Sequence, residues 1–222
     1  MLNQIRAEIN NIRQKDPACK HCLSIWLYYP GFQALIAHRL FHWLWKIDFG
    51  ILNSITHTVI RFFQYLVRNF TQIEIHPAAV IGKNFFIDHG SGVVIGETAI
   101  IGDDVTIFQG VTLGGVSTKA EKRHPTIGNH VLIGAGAKIL GNIVIGDYVQ
   151  VGANSVVLRD VPSRSTVVGI PGRIAKCDGD LEDVIQNLEH NKTPDFIGAS
   201  LEILTKKIEE LEAELKDLKN SD

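Results

Sequence analysis

From Ile75 onward, aliphatic residues recur at every sixth position: Ile75, Ile81, Ile87 and Val93, then, after a two-residue slip, Ile95, Ile101, Ile107 and Leu113. The pattern breaks over residues 114–126 and resumes at Ile127, Ile133, Ile139, Ile145, Val151 and Val157. In many of these hexads a glycine follows the aliphatic residue, as at Gly82, Gly96, Gly102, Gly128, Gly134, Gly146 and Gly152. A small or branched residue sits two positions before it, as at Ala99, Val105, Val131, Ala137 and Val149. Each hexad reads as a short strand with its aliphatic side chain turned inward. Stacked coils then build an apolar column that no single repeat buries alone. Three hexads per coil make a triangular prism. An ordinary β-sandwich instead needs period-two alternation with turns every ~8–12 residues, and fourteen phased aliphatic positions do not fit it.

The flanks carry other periods. Residues 1–70 predict a helical domain, with apolar residues at three- and four-residue spacing through Leu35, Ile36, Leu40, Trp43 and Leu44, and again through Ile55, Val59, Phe62, Phe63, Leu66 and Val67. Tyr29-Pro30-Gly31 punctuates that run and starts a new helix. Residues 71–176 form the β-helical domain, and the polar stretch 114–126 (GGVSTKAEKRHPT) is a loop extruded from one corner. Loops on a rigid scaffold are where chemistry tends to sit. In the tail, 177–222, Leu201, Leu204, Ile208, Leu211, Leu215 and Leu218 follow the stripe of a coiled coil. An amphipathic helix lying on its own domain would show a similar stripe. The fold class is therefore α+β: helices, then a parallel β-helix, then a C-terminal helix or coiled coil.

Composition narrows the range of functions. The chain has 222 residues, 45% of them hydrophobic, and a formal charge of −2 without a basic block. That excludes nucleic acid as a main partner, since phosphate binding draws on clustered Lys and Arg. The apolar stretch near residues 49–70 is interrupted by Asn53, His57, Arg61, Gln64 and Arg68, so no membrane span is expected. The start lacks a signal-peptide core, and three cysteines (Cys19, Cys22, Cys177) fit a reducing, cytoplasmic setting. A single CxxC lacks the second pair that a zinc knuckle needs, and no metal site is expected.

Several motifs are more specific than the hexads. They are Ile75-His76-Pro77-Ala78-Ala79, Ile87-Asp88-His89 with Gly96-Glu97-Thr98, Thr112-Leu113-Gly114-Gly115, Arg123-His124-Pro125, residues 133–142 (IGAGAKILGN) and Gly169-Ile170-Pro171-Gly172-Arg173. In the helical part, Asp16-Pro17-Ala18, Gly31-Phe32-Gln33-Ala34-Leu35 and His42-Trp43-Leu44-Trp45 belong with them. Over residues 13–176 the chain resembles the serine acetyltransferase family of hexapeptide-repeat acyltransferases. The resemblance implies a left-handed β-helix and acetyl transfer from acetyl-CoA, as co-substrate, to L-serine, with L-cysteine as a feedback inhibitor. It also implies a homotrimer or a dimer of trimers. The resemblance also implies cysteine synthase as a possible partner, which family members often bind through a C-terminal isoleucine; this chain's ending, Lys219-Asn220-Ser221-Asp222, puts that partnership in doubt.

The resemblance also assigns residues. Ile87 already fills the inward position of its hexad, so His89 faces outward and is the expected general base, although a lone histidine is more often a plain surface or core residue. The family places the base's acidic partner at Glu74, where many members carry Asp. Serine is a zwitterion: Asp16 and Asp88 are expected to hold its ammonium, Arg123 its carboxylate through a planar fork, and His124 its hydroxyl side. Asp16 equally suits a helix cap before Pro17, and Arg123 a solvated loop charge. Backbone N–H groups at Gly114 and Gly115 are expected oxyanion donors. Coenzyme A is expected along a prism edge past Ala135 and Ala153, which lie eighteen residues apart in equivalent places, with Arg173 and Lys176 at its phosphates. Two rivals share the prism: a sugar or antibiotic acyltransferase, and a γ-type zinc carbonic anhydrase using His89, His124 and His130.

Overall fold

All fourteen phased aliphatic residues are buried in the computed structural model, which describes residues 2–17, 19, 21–177, 205–208 and 211. Five coils follow one another. The first holds β1 (Glu74–Ile75), β2 (Val80–Ile81) and β3 (Phe86–Ile87), and the second β4 (Val94–Ile95), β5 (Ile100–Ile101) and β6 (Thr106–Ile107). Next come β7 (Thr112–Gly114), β8 (Thr126–Ile127) and β9 (Leu132–Ile133), then β10 (Lys138–Leu140), β11 (Val144–Ile145) and β12 (Gln150–Val151). The last coil holds β13 (Val156–Val157) and β14 (Ser165–Val168), and β15 (Arg173–Cys177) turns back along β14.

Stacking gives three sheets. Sheet A is β1-β4-β7-β10-β13, sheet B is β2-β5-β8-β11, and sheet C is β3-β6-β9-β12-β14 with β15 antiparallel at its end. All the coil-to-coil pairs are parallel. Register explains the two-residue slip: Glu74 pairs with Val94, twenty residues on, whereas Val94 pairs with Thr112 after eighteen. Each inward Ile or Val is removed from water, worth about 1.5–3 kcal/mol per side chain, and the sum over the column specifies the prism.

The corner between sheets B and C is held by a side-chain ladder. Lys83 N–H donates to Asp103 Oδ1 (2.7 Å), Asp103 N–H to Asn129 Oδ1 (2.9 Å), Asn129 N–H to Asp147 Oδ1 (2.6 Å) and Asp147 N–H to Ser163 Oγ (3.0 Å). The residues that follow, Asn84, Asp104, His130, Tyr148 and Arg164, adopt positive φ there. Short polar side chains at the first position thus replace the hydrogen bonds that a tight corner denies the backbone.

Helices α1 (Leu2–Lys15), α2 (Cys22–Tyr28), α3 (Pro30–Trp45) and α4 (Asn53–Thr71) precede the coils. Tyr29-Pro30 does start a new helix, with proline in its first turn. Helix α3 seats directly on β3: a Cβ at Gly31 would overlap the Ile87 carbonyl, and Ala34 and Leu35 join the column's core. Arg39 donates to the carbonyls of Ile81 and Gly82 and pairs with buried Glu8 at 3.0 Å, tying α1, α3 and the first coil together. A second cluster (Ile12, Ile25, Phe32, Phe86) joins the first three helices to the outer face of sheet C.

The apolar stripe of α4 behaves differently from a simple inward face. Ile60 is buried and Val67 packs on the core, but Ile55 (62% exposed), Val59, Phe62 and Phe63 point away from the chain. The helix carries more apolar surface than its own domain covers. Residues 1–190 form one compact unit and 191–222 another. In the tail, residues 205–208 are helical and Ile208 and Leu211 are exposed; the rest of the leucine stripe lies outside the described residues. No helix among the described residues is long and apolar enough to cross a membrane.

Candidate active site

Two separate groups of expected residues form on one prism. His89 follows β3 at the corner between sheets C and A. Its side chain is 78% exposed and its φ is +60°, a left-handed corner conformation that it shares with His130. Ile87 beneath it is buried, so the imidazole faces outward as expected. Asp88 Oδ1 lies 3.9 Å from His89 Nε2. Residues 72–74 stack beside this corner, because Gly92 N–H donates to Gln72 O and Glu74 N–H to Val93 O, both at 2.9 Å. The Glu74 carboxylate pairs with Arg68 of α4 at 3.1 Å, not with His89.

The same edge carries Ala135 and Ala153 one coil apart, with Asn154 N–H donating to Ala135 O at 2.8 Å. Arg173 opens β15 beyond the last coil and is exposed. Lys176 pairs through its backbone with Thr166, and its side chain lies outside the described residues.

Arg123, His124, Gly114 and Gly115 gather at the corner between sheets A and B. The loop folds back onto Thr98. Arg123 N–H and His124 N–H both donate to Thr98 Oγ1 (3.0 and 3.1 Å), and Lys122 Nζ donates to Thr98 O (2.7 Å). The ring of His124 is 7% exposed and lies against Gly96, where any Cβ would overlap it. Thr98 N–H points at His124 Nδ1 (3.2 Å), with Thr98 Oγ1 at 2.9 Å from the same nitrogen. Nδ1 is therefore an acceptor and the ring proton sits on Nε2. Burial, and then Arg123, push the His124 pKa down, so the neutral Nε2–H donor form persists below the usual histidine range. Arg123 Nη2 is held by Glu97 Oε2 at 3.1 Å.

Asp16 lies elsewhere, just past the end of α1, where it accepts a hydrogen bond from Tyr29 Oη at 2.6 Å. Neighbouring Lys15 donates to Thr106 Oγ1 on the outer face of sheet C (2.9 Å). His130 stacks on Tyr148 at the third corner, so the three histidines of the zinc rival sit on three different corners. Among the described residues no three ligating side chains gather into a metal site.

Reading the sequence for function passed over Thr98, Lys122, Tyr29 and the pairing role of Glu97. Glu97 and Thr98 stand inside a quoted motif, but their part depends on which loop residue lands on them. His76 also borders this corner: Ala78 N–H donates to its Nδ1 (3.1 Å), and burial lowers its pKa in a field set by Glu97, Arg61, His124 and Arg123.

A stacked hexad coil with an outward histidine at one corner and an arginine–histidine loop at another defines a hexapeptide-repeat transferase, and residues 124–159 match the model of bacterial transferase hexapeptides. Residues 1–37 match that of the serine acetyltransferase N-terminal domain. The chain is 48% identical over 218 residues to a serine acetyltransferase of Synechococcus elongatus, covering 98% of this chain and 85% of that protein. It is 47% identical over 215 residues to one of Bacillus subtilis, covering 97% and 95%. Solved structures agree. A serine acetyltransferase in complex with cysteine has 41% identity and a TM-score of 0.73, over 80% of this chain and 66% of that one. The Neisseria gonorrhoeae enzyme in complex with serine has 41% and 0.71, over 79% and 69%. The Brucella abortus enzyme in complex with coenzyme A has 42% and 0.73, over 80% and 68%. The chain thus spans about two thirds of those structures' length.

The chain belongs to the serine acetyltransferase family. Its coil has that family's left-handed sense, against the right-handed rule for ordinary crossovers. It is an acetyl-CoA-dependent O-acetyltransferase, with acetyl-CoA as co-substrate and L-serine as acceptor.

Proposed function

We propose that acetyl transfer takes place at a seam between neighbouring protomers of a homotrimer, with His89 of one protomer facing Arg123 and His124 of the next. The observation that carries this reading is the separation of the two groups within one chain. They occupy different corners, and the side between them, residues 93–96, spans roughly 13 Å of extended backbone. A flat prism face makes a poor pocket for a zwitterion, and a groove between two prisms would make a better one.

In this scheme His89 takes the proton of the serine hydroxyl as its oxygen attacks the thioester carbonyl carbon. Glu74 or Asp88 supports the imidazolium. The tetrahedral oxyanion receives N–H donors from Gly114 and Gly115. When the C–S bond breaks, His89 returns the proton to the departing CoA thiolate. Arg123, steadied by Glu97 at 3.1 Å, takes the serine carboxylate, while Asp16 and Asp88 take the ammonium. The Nε2–H of His124 donates on the hydroxyl side. Coenzyme A runs along the edge of Ala135 and Ala153 toward Arg173 and Lys176. L-cysteine, nearly isosteric with L-serine, occupies the same seam as an inhibitor; the family structure in complex with cysteine supports this reading.

The outward apolar row on α4 supports pairing of two trimers through their helical domains. Free Cys19 and Cys22 fit a cytoplasmic setting. The test is CoA release with L-serine, beside a panel of sugars, using wild type and His89→Ala. The variant is expected to lose ~10²–10⁴-fold in rate. An unchanged rate would remove His89 from the mechanism, and turnover with sugars alone would remove serine.

A further inference from the structure

Asp16 is set by an unusual neighbour. Tyr29 is the single residue between α2 and α3, extended at φ −107° and ψ 91°, with Pro30 fixing the next φ. Its ring packs against the cluster of Ile12, Ile25, Phe32 and Phe86, so both its backbone and its side chain are anchored. From there its hydroxyl reaches back thirteen residues to Asp16 Oδ2 at 2.6 Å, the short distance of an O–H bond to a carboxylate. Asp16 itself sits in the turn that closes α1, with its N–H on Ile12 O (2.8 Å) and its carbonyl accepting from Cys19 N–H (3.1 Å). One residue earlier, Lys15 pins the same turn to Thr106 at 2.9 Å. Burial, and then the adjacent carboxylate, raise the phenol's pKa, so Tyr29 stays a donor across the neutral range.

We propose that Tyr29 is a positioning residue for the amino-acid substrate: its hydroxyl fixes the rotamer of the Asp16 carboxylate that receives the serine ammonium. A carboxylate has about four lone-pair sites, and the phenol donor takes one of them. The gain lies in preorganisation, because a carboxylate already held in one rotamer has less freedom to lose when the ammonium arrives. Tyr29 touches no reacting atom, so its contribution falls on substrate binding and not on the chemical step. The proposal rests on the reading of Asp16 as an ammonium ligand.

The test is steady-state kinetics on the full chain for Tyr29→Phe, Asp16→Asn and the double variant, with thermal unfolding alongside. Tyr29→Phe keeps the packed ring and removes only the hydroxyl, with its bonds to Asp16 and Cys19. It is expected to raise the KM for L-serine about 5–10-fold, the scale of one ordinary hydrogen bond. Its effect on kcat and on the KM for acetyl-CoA is expected to stay within about two-fold. In the Asp16→Asn background the same change is expected to add almost nothing, since both act through one carboxylate. A serine KM that rises in Asp16→Asn but stays at wild type in Tyr29→Phe overturns the proposal and leaves the role of Asp16 standing. Independent, additive effects overturn it too, as does a Tyr29→Phe loss spread equally over both substrates. A wild-type serine KM in Asp16→Asn removes the ammonium ligand itself, and the proposal with it.

Discussion

Glu74 Oε2 lies 3.1 Å from Arg68 Nη1, so the carboxylate expected to assist His89 is engaged by the last turn of α4. Arg68 is exposed and Glu74 half-buried at the surface, and solvent-accessible ion pairs of that kind contribute only ~0–1 kcal/mol. Such a pair is too weak to keep Glu74 from a second partner once His89 becomes cationic. Glu74→Gln is expected to lower kcat about 10–100-fold, less than the loss in His89→Ala, with little change in the unfolding midpoint. Arg68→Ala is expected to cost at most ~1 kcal/mol of stability. Single-turnover rates and thermal melts on the two variants check both expectations. A Glu74→Gln enzyme as fast as wild type would leave Asp88, 3.9 Å from the imidazole, as the base's only acidic support in this scheme.

Arg123 is oriented by Glu97, and the two side chains have separable roles. Arg123→Lys keeps the charge but loses the bidentate fork. It is expected to raise the KM for L-serine by about 10-fold or more, with the KM for acetyl-CoA little changed. Glu97→Gln leaves the arginine in place but loosely held, and a smaller rise in the same direction is expected. Kinetic constants for both substrates distinguish this from general damage to the loop, which would move both.

The inward column was legible because one rule governs every hexad: an aliphatic residue at the sixth position has nowhere to go but the interior. The outward direction of His89 followed from the same rule through Ile87. The contacts that build the site did not follow, because they join residues whose separation depends on register. Thr98 meets His124 only after the loop has folded back, twenty-six residues later. Tyr29 meets Asp16 only because a one-residue link reverses the chain between α2 and α3. The stripe on α4 was visible, but periodicity does not tell which neighbour covers it, and here much of it points away from the chain's own core.

Stability should depend on pH through buried histidines. Burial, and then His42, push the pKa of His38 down to about 3, and His42, His76 and His124 are lowered as well, each mainly by burial. The unfolded chain, with histidines near 6.5, then binds more protons than the folded one at every pH between the folded values and 6.5. Stability is therefore full above the unfolded value and is lost as pH falls below it. The melting temperature is expected to be level from pH 7 to 8 and to drop steadily below about pH 6. His38→Gln, which cannot take up the proton, is expected to flatten that slope. A slope identical to wild type would remove His38 as its source.

The seam between protomers has a sharper test than an oligomer mass alone. If His89 and Arg123 of one chain serve different sites, then His89→Ala and Arg123→Ala are each inactive for different reasons. Refolding the two variants together makes hybrid trimers. A site pairing the intact His89 of an Arg123→Ala protomer with the intact Arg123 of a His89→Ala protomer is whole. With random mixing, roughly a quarter of all seams qualify, so activity is expected to return to about a quarter of wild type. Each variant refolded alone should stay inactive, and sedimentation should give the same assembly size throughout. If both groups instead served one site within a single chain, every protomer would carry a lesion and mixing would restore nothing. No recovery in hybrids of confirmed mixed composition would therefore exclude the shared seam.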